Sequence, residues 1–284
     1  MSKARNASRF PPPCGGLWAA AAIVLICLGN SACAREDCSV GPRADAARNA
    51  ASLNTLAWAP FHRPEAGWAT YEPLVAREIA TACPPTSPGF AAALARWRGA
   101  HALRGPGVLD APTFFAMYQV WQARRPFVVV SKRACPAPPA VVAQARKDEG
   151  WSGKPVSLRL GALGAYRKMV AAARAQVPAL AADRQLMTMF SGYRSPAYDA
   201  ERCARQHNCQ GVTRAACSAH RTGLAVDLFF GNAPGQAIDS SDDVNRLYIS
   251  RSAGYLWMVK NADRYGFVNY AFEPWHWEWT GEPP

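Results

Sequence analysis

Apolar and polar positions along this chain follow two different periods, and the helical one comes first. Leu74, Val75, Ile79 and Ala82 fall on one face of a helix starting near Tyr71, which Pro84-Pro85 must end. A second helix is expected from about Gly89 to Ala102, with Leu94, Trp97 and His101 spaced by three and four. Gly105-Pro106-Gly107 marks a turn. Beyond it, Asp110 or Thr113 caps a third helix carrying Phe114, Met117, Val120 and Trp121. A fourth stretch, Ala162 to Ala173, places Leu163, Tyr166, Val170 and Ala173 together. Residues 35–70 show no period and stay unassigned.

The strand period governs the rest. Phe127 to Val130 reads as a short strand before Pro136 to Pro139 breaks regular structure, and Leu186 to Phe190 as another, running into Ser191-Gly192-Tyr193-Arg194-Ser195. In Ala225 to Phe230, alternation gives Asp227 a face with Ala225 and Phe229. In Trp275 to Trp279 it sets three tryptophans on one face and His276 with Glu278 on the other. Strands and helices mix without a regular βαβ order. The expected class is α+β, a small antiparallel sheet with flanking helices, preceded by a small three-helix domain.

Half of the 284 residues are apolar and 18% are charged, so the chain can bury a core; general disorder, collagen and a polytopic membrane protein are excluded. Residues 1–34 read as a signal peptide. Lys3, Arg5 and Arg9 precede the apolar run Leu17 to Leu28, which is short of the ~20 residues a spanning helix needs. Ala32-Cys33-Ala34 fits cleavage after Ala34. Lipidation at Cys33 and a retained anchor are the rival readings, and only these would tie the protein to a membrane. Three of the net twelve positive charges belong to the leader, which leaves +9 for the exported part, suited to an anionic partner such as nucleic acid, a membrane surface or an acidic cell-wall polymer. Six cysteines also remain: Cys38, Cys83, Cys135, Cys203, Cys209 and Cys217. An even number fits up to three disulfides in an oxidising periplasm or cell envelope, and sequence does not choose among the connectivities.

Two of the five histidines lie in informative surroundings: Ser218-Ala-His220-Arg-Thr-Gly223-Leu-Ala-Val-Asp227 and Glu273-Pro-Trp-His276-Trp-Glu278-Trp279. His220, Asp227 and His276 form a mixed imidazole and carboxylate set suited to Zn2+, and three protein ligands leave a fourth position for water. Glu273, just ahead of a Pro that interrupts the ladder, is placed to take a proton from that water. Arg194 is a permanent cation suited to a carboxylate or an oxyanion. Glu278 is expected to be structural, and His62, His101 and His207 ordinary core or surface residues. Other logics fail: Ser-x-x-Lys, Gly-x-Ser-x-Gly and His-Glu-x-x-His do not occur. The basic residues are dispersed and carry no nucleic-acid motif, so nucleic acid is not an expected partner.

The Ser191 to Ser195 segment, the Ser218 to Asp227 motif and Glu273-Pro-Trp-His276 together resemble the VanY-like D-alanyl-D-alanine carboxypeptidases, as does Trp257 to Phe267. The resemblance spans about residues 155–280. It implies a zinc peptidase domain over 151–284 acting on peptidoglycan stem peptides, with His220, Asp227 and His276 as ligands and Glu273 as catalytic base. It also implies substrate or transition-state contacts from Arg194 and Ser218, with Tyr193 beside them. The expected reaction is removal of the terminal D-Ala. A peptidoglycan endopeptidase with the same centre and a catalytically silent wall-binding module are the alternatives. Within the insert between the Arg and His motifs, a Cys203–Cys209 bridge would pin the loop beside the metal. Residues 71–127 are similar to small three-helix peptidoglycan-binding domains, a wall-targeting module or else a packing extension, with 128–150 as a linker.

Overall fold

The computed structural model describes residues 36–131, 134–207, 209 and 217–283. The leader, with Cys33 and the cleavage site, lies outside the described residues. Glu36 to Pro284 form one compact unit. Among the described residues no helix is long and apolar enough to cross a membrane.

The helical period is realised in α2 (Glu72–Glu78), α3 (Pro88–Ala100) and α4 (Ala111–Ala123). Each of α3 and α4 starts at a side-chain cap: Ser87 Oγ accepts from the Phe90 N–H, and Asp110 Oδ1 from the Thr113 N–H at 2.9 Å. Asp110, not Thr113, is therefore the cap. The first helix ends before Ala82 because Ala80 takes a left-handed φ of 53°.

The unassigned segment supplies α1 (Arg43–Ser52) and a two-stranded ribbon, β1 (Ala57–Trp58) with β2 (Glu65–Ala66). Its polar residues hold the Gly-Pro-Gly turn: Asp45 accepts from the Gly107 N–H at 2.7 Å, and fully buried Asn49 bonds Gly107 O and the Leu109 N–H. A period search misses such a helix, since the residues it buries include Asp45 and Asn49.

One sequence expectation fails outright. Phe127 to Val130 is not a strand but the short helix α5 (Pro126–Val130). Proline sits at its first position, where a missing N–H costs nothing, and among the described residues no strand pairs with the β-branched run. A second ribbon follows, β3 (Ala143–Gln144) with β4 (Ser157–Leu158), then α6 (Leu160–Gln176) and α7 (Pro178–Ala182).

The functional half is organised on an antiparallel sheet of four strands: β5 (Met189–Ser191), β6 (Ala225–Leu228), β7 (Phe267–Tyr270) and β8 (Glu273–Trp279), in the spatial order β5-β6-β8-β7. The α+β class holds. β5 starts later than the apolar run because Met187 has a φ of 65°. Between β5 and β6 lies α8 (Pro196–Gln206), and between β6 and β7 lie α9 (Asp243–Ser250) and α10 (Ala253–Asn261). One sheet face carries Val226 opposite Trp277, and Tyr255 of α10 packs edge-on against that indole. A single hydrophobic cluster runs from Trp68 to Trp277. The six described cysteines pair as Cys38–Cys83, Cys135–Cys217 and Cys203–Cys209.

Candidate metal centre

The polar face of the sheet builds the site by register. Asp227 on β6 stands directly opposite His276 on β8 and beside Ser191 on β5, while Ala225 faces Glu278. His276 Nδ1 lies 2.9 Å from Asp227 Oδ1. His220 arrives from a 3₁₀ turn, Ala219–Thr222, that ends in Gly223 at φ 70°. A side chain there would be strained, and its Cβ would crowd Arg159 and Pro139. The turn brings His220 Nε2 to 3.1 Å from Asp227 Oδ2. One ligand atom from each of His220, Asp227 and His276 lies within 4.8 Å of the others, and all three residues are buried.

The donor chemistry fits a divalent cation. His220 Nδ1 is 2.7 Å from Gly192 O, and a carbonyl only accepts, so that nitrogen holds the proton and Nε2 offers its lone pair inward. A Cβ on Gly192 would lie 2.5 Å from Ser157 O, so glycine is what lets this carbonyl reach the ring. Burial, with Arg194 nearby, pushes His220 down to about 4, which keeps it neutral. Burial works against charge on His276 too, but the carboxylates of Asp227, Glu278 and Glu273 outweigh it and hold that ring up at about 9. Asp227 is also desolvated, and the two imidazoles still hold it well below the usual carboxylate range. A proton and a cation thus compete for the same nitrogen of His276.

Glu273 opens β8, its carboxylate 3.9 Å from His276 Nδ1 and one-third exposed at 32%. Burial raises its pKa above the ordinary value, with His276 opposing. Pro274 has no N–H to give, and the β7–β8 register slips there, Asn269 pairing with Trp277 but Tyr270 with Glu273. The Asn269 side-chain amide fills the gap by donating to His276 O at 2.8 Å. The bulge that aims Glu273 at the cluster follows from that proline.

Arg194 is brought in, donating to Ser191 Oγ at 2.9 Å and to Asp227 Oδ2 at 3.2 Å. With Tyr193, Lys154, Ser157 and Tyr198 it lines a groove of about 350 Å³ beside the cluster. Ser218 is near in sequence but differently engaged: its hydroxyl donates to Asp199 at 3.1 Å, a fully buried carboxylate on α8 that also meets Arg221. Asp199 was not singled out by any motif. Nor was Arg125, which pairs with Glu278 from 153 residues away. His101 stacks on Trp97, away from the site.

Residues 156–282 match the VanY family, D-alanyl-D-alanine carboxypeptidase. The chain carries a VanY-like carboxypeptidase domain. That segment, a little under half of the chain, contains every residue of the cluster together with Glu273, Arg194, Tyr193 and Ser218. No curated protein matches the chain. The VanY-like segment supports a peptidoglycan hydrolase of the D-Ala-D-Ala carboxypeptidase type.

Proposed function

We propose that the protein is an exported, zinc-dependent D,D-carboxypeptidase that removes the terminal D-Ala from peptidoglycan stem peptides. The observation that carries this reading is the convergence of His220, Asp227 and His276 next to Glu273, inside the VanY-like segment. His220 Nε2, an Asp227 oxygen and His276 Nδ1 hold the ion. Zinc, when bound, acts as a Lewis acid on the scissile carbonyl and acidifies a water.

The chain's own residues do the rest. Glu273 takes the proton of the attacking water and delivers it to the leaving amine, and its raised pKa suits both halves of that task. Arg194 holds the substrate carboxylate or the oxyanion from the wall of the groove, with Tyr193 beside it, and Ser218 is the further substrate contact. Residues 151–284 serve as the catalytic domain and 71–127 as a peptidoglycan-binding-like helical domain, joined by 128–150. Six cysteines in three bridges suit a periplasmic or envelope location reached through the leader 1–34.

The test is mass spectrometry of defined muropeptides after incubation with the purified mature chain, with a chelator and with Glu273→Ala in parallel. Loss of one terminal alanine, abolished in both controls, is the expected result. Cleavage at an internal bond would make the protein an endopeptidase. No product in the presence of stoichiometric metal would make it a binding module.

A further inference from the structure

The other ring nitrogen of His276 is a loose end. Nε2 is buried and makes no hydrogen bond. If Nδ1 ligates a cation, the neutral ring must carry its proton on Nε2, and a buried N–H without an acceptor costs about 1–3 kcal/mol. The nearby acceptor is Glu278 Oε1, at 3.5 Å.

Glu278 is itself held from outside the VanY-like segment. Arg125 Nε donates to Glu278 Oε1 at 2.7 Å, and Nη2 stands 2.6 Å from the same oxygen. The Phe127 N–H takes Oε2 at 2.9 Å. Arg125 Nη1 is committed to Gln122, and the guanidinium lies 4.0 Å over the ring of Tyr270, whose edge faces His276. The side chains of Arg125 and Glu278 are 8% and 1% exposed. Such a pair is a poor device for stability alone, because two well-packed apolar residues would avoid the desolvation of both charges. It is a good device for fixing one carboxylate in one orientation next to a ligand.

We propose that Arg125 is a positioning residue for the metal centre, fixing the Glu278 carboxylate that orients His276 through its outer ring nitrogen. The proposal rests on the reading of His276 as a metal ligand. It gives the segment before residue 156 a part in the chemistry that a detachable wall-binding unit would not have. A carboxylate on Nε2–H also makes the imidazole a stronger donor to the ion.

The experiment measures Zn2+ affinity of the purified full mature chain by competition with a chromophoric chelator, and the visible spectrum of its Co2+ form. Glu278→Gln and Arg125→Met are expected to weaken Zn2+ binding by about 10–100-fold and to alter the Co2+ spectrum. Arg125→Lys keeps the charge without the fork and is expected to recover part of the loss. Arg98→Met removes another buried arginine of the same helical region, paired with Asp110 at 3.0 Å. It is expected to lower stability while leaving Kd and spectrum unchanged. Should Arg125→Met fail to fold, Glu278→Gln and Arg125→Lys decide the matter, since the first keeps the shape and the second keeps the charge. Unchanged Kd and spectrum in those two would overturn the positioning role and leave the metal reading standing. An unaltered chain that binds no stoichiometric Zn2+ would overturn both.

Discussion

Two clusters of charge are buried in this molecule, and they are built on opposite principles. Around Arg246, every charge has a counterpart: Glu65 at 3.1 Å, Asp243 at 3.2 Å, Phe272 O at 2.8 Å and the Tyr71 hydroxyl, itself 2.6 Å from Glu65. Around Asp227, two imidazoles and an arginine converge on one carboxylate, with Glu273 held close and its pKa raised. The first cluster ties the N-terminal ribbon and α2 to α9. The second gathers lone pairs onto a common point. Each cluster leaves one buried polar atom without a hydrogen bond, Glu65 Oε1 in the first and His276 Nε2 in the second. Buried charge alone therefore does not mark a site; what marks it is ligand atoms of two imidazoles and a carboxylate gathered on one point.

The largest effect that sharpens this contrast is chemical. Glu273→Gln is expected to lower kcat by about 10²–10⁴-fold while Zn2+ stoichiometry, measured by atomic absorption, stays at the wild-type value. The pH profile follows the same residue. A base must be unprotonated, and burial raises the Glu273 pKa, so activity should fall as pH drops through a value above the ordinary glutamate range. Loss of metal in this variant would move Glu273 from base to ligand.

Much of the second cluster was legible in the sequence because it is built from strand register. Asp227 and His276 sit in short alternating segments, and Pro274 announces the break that frees Glu273. The first cluster was invisible. Glu65 and Arg246 lie 181 positions apart, and neither falls on a periodic face or in a motif. Arg125 and Asp199 escaped for the same reason: a long-range ion pair has no local pattern. α1 escaped because its buried face is polar, and the run Phe127 to Val130 misled because β propensity was counted without a partner strand.

Next in size comes the charge-paired cluster around Arg246. Arg246→Met leaves Glu65 buried without its cation and is expected to cost about 3–5 kcal/mol in urea denaturation. Zn2+ affinity should not change beyond what that instability explains. A selective loss of metal, with stability retained, would mean that the two clusters communicate and that the distinction between them fails.

The smallest effect tests a third carboxylate that lies between the two extremes. Glu149 is buried, but it accepts from Arg167 Nε at 2.7 Å and from the Arg146 N–H at 2.7 Å, and these arginines are 37% and 61% exposed. Burial pushes its carboxyl up, and those partners outweigh it and hold the pKa below the ordinary value. A depressed folded pKa contributes stability that is complete above the unfolded value of ~4.5 and is lost as pH falls through the folded one. Solvent around both arginines screens the pair, so the contribution should be about 1 kcal/mol and no more. Glu149→Gln should therefore be less stable than the parent by that amount in urea denaturation near neutral pH, with the gap closing as pH falls below the ordinary glutamate range. A gap that persisted in acid would overturn the charge reading, because a protonated carboxyl and an amide present nearly the same shape to Arg167 and carry no charge.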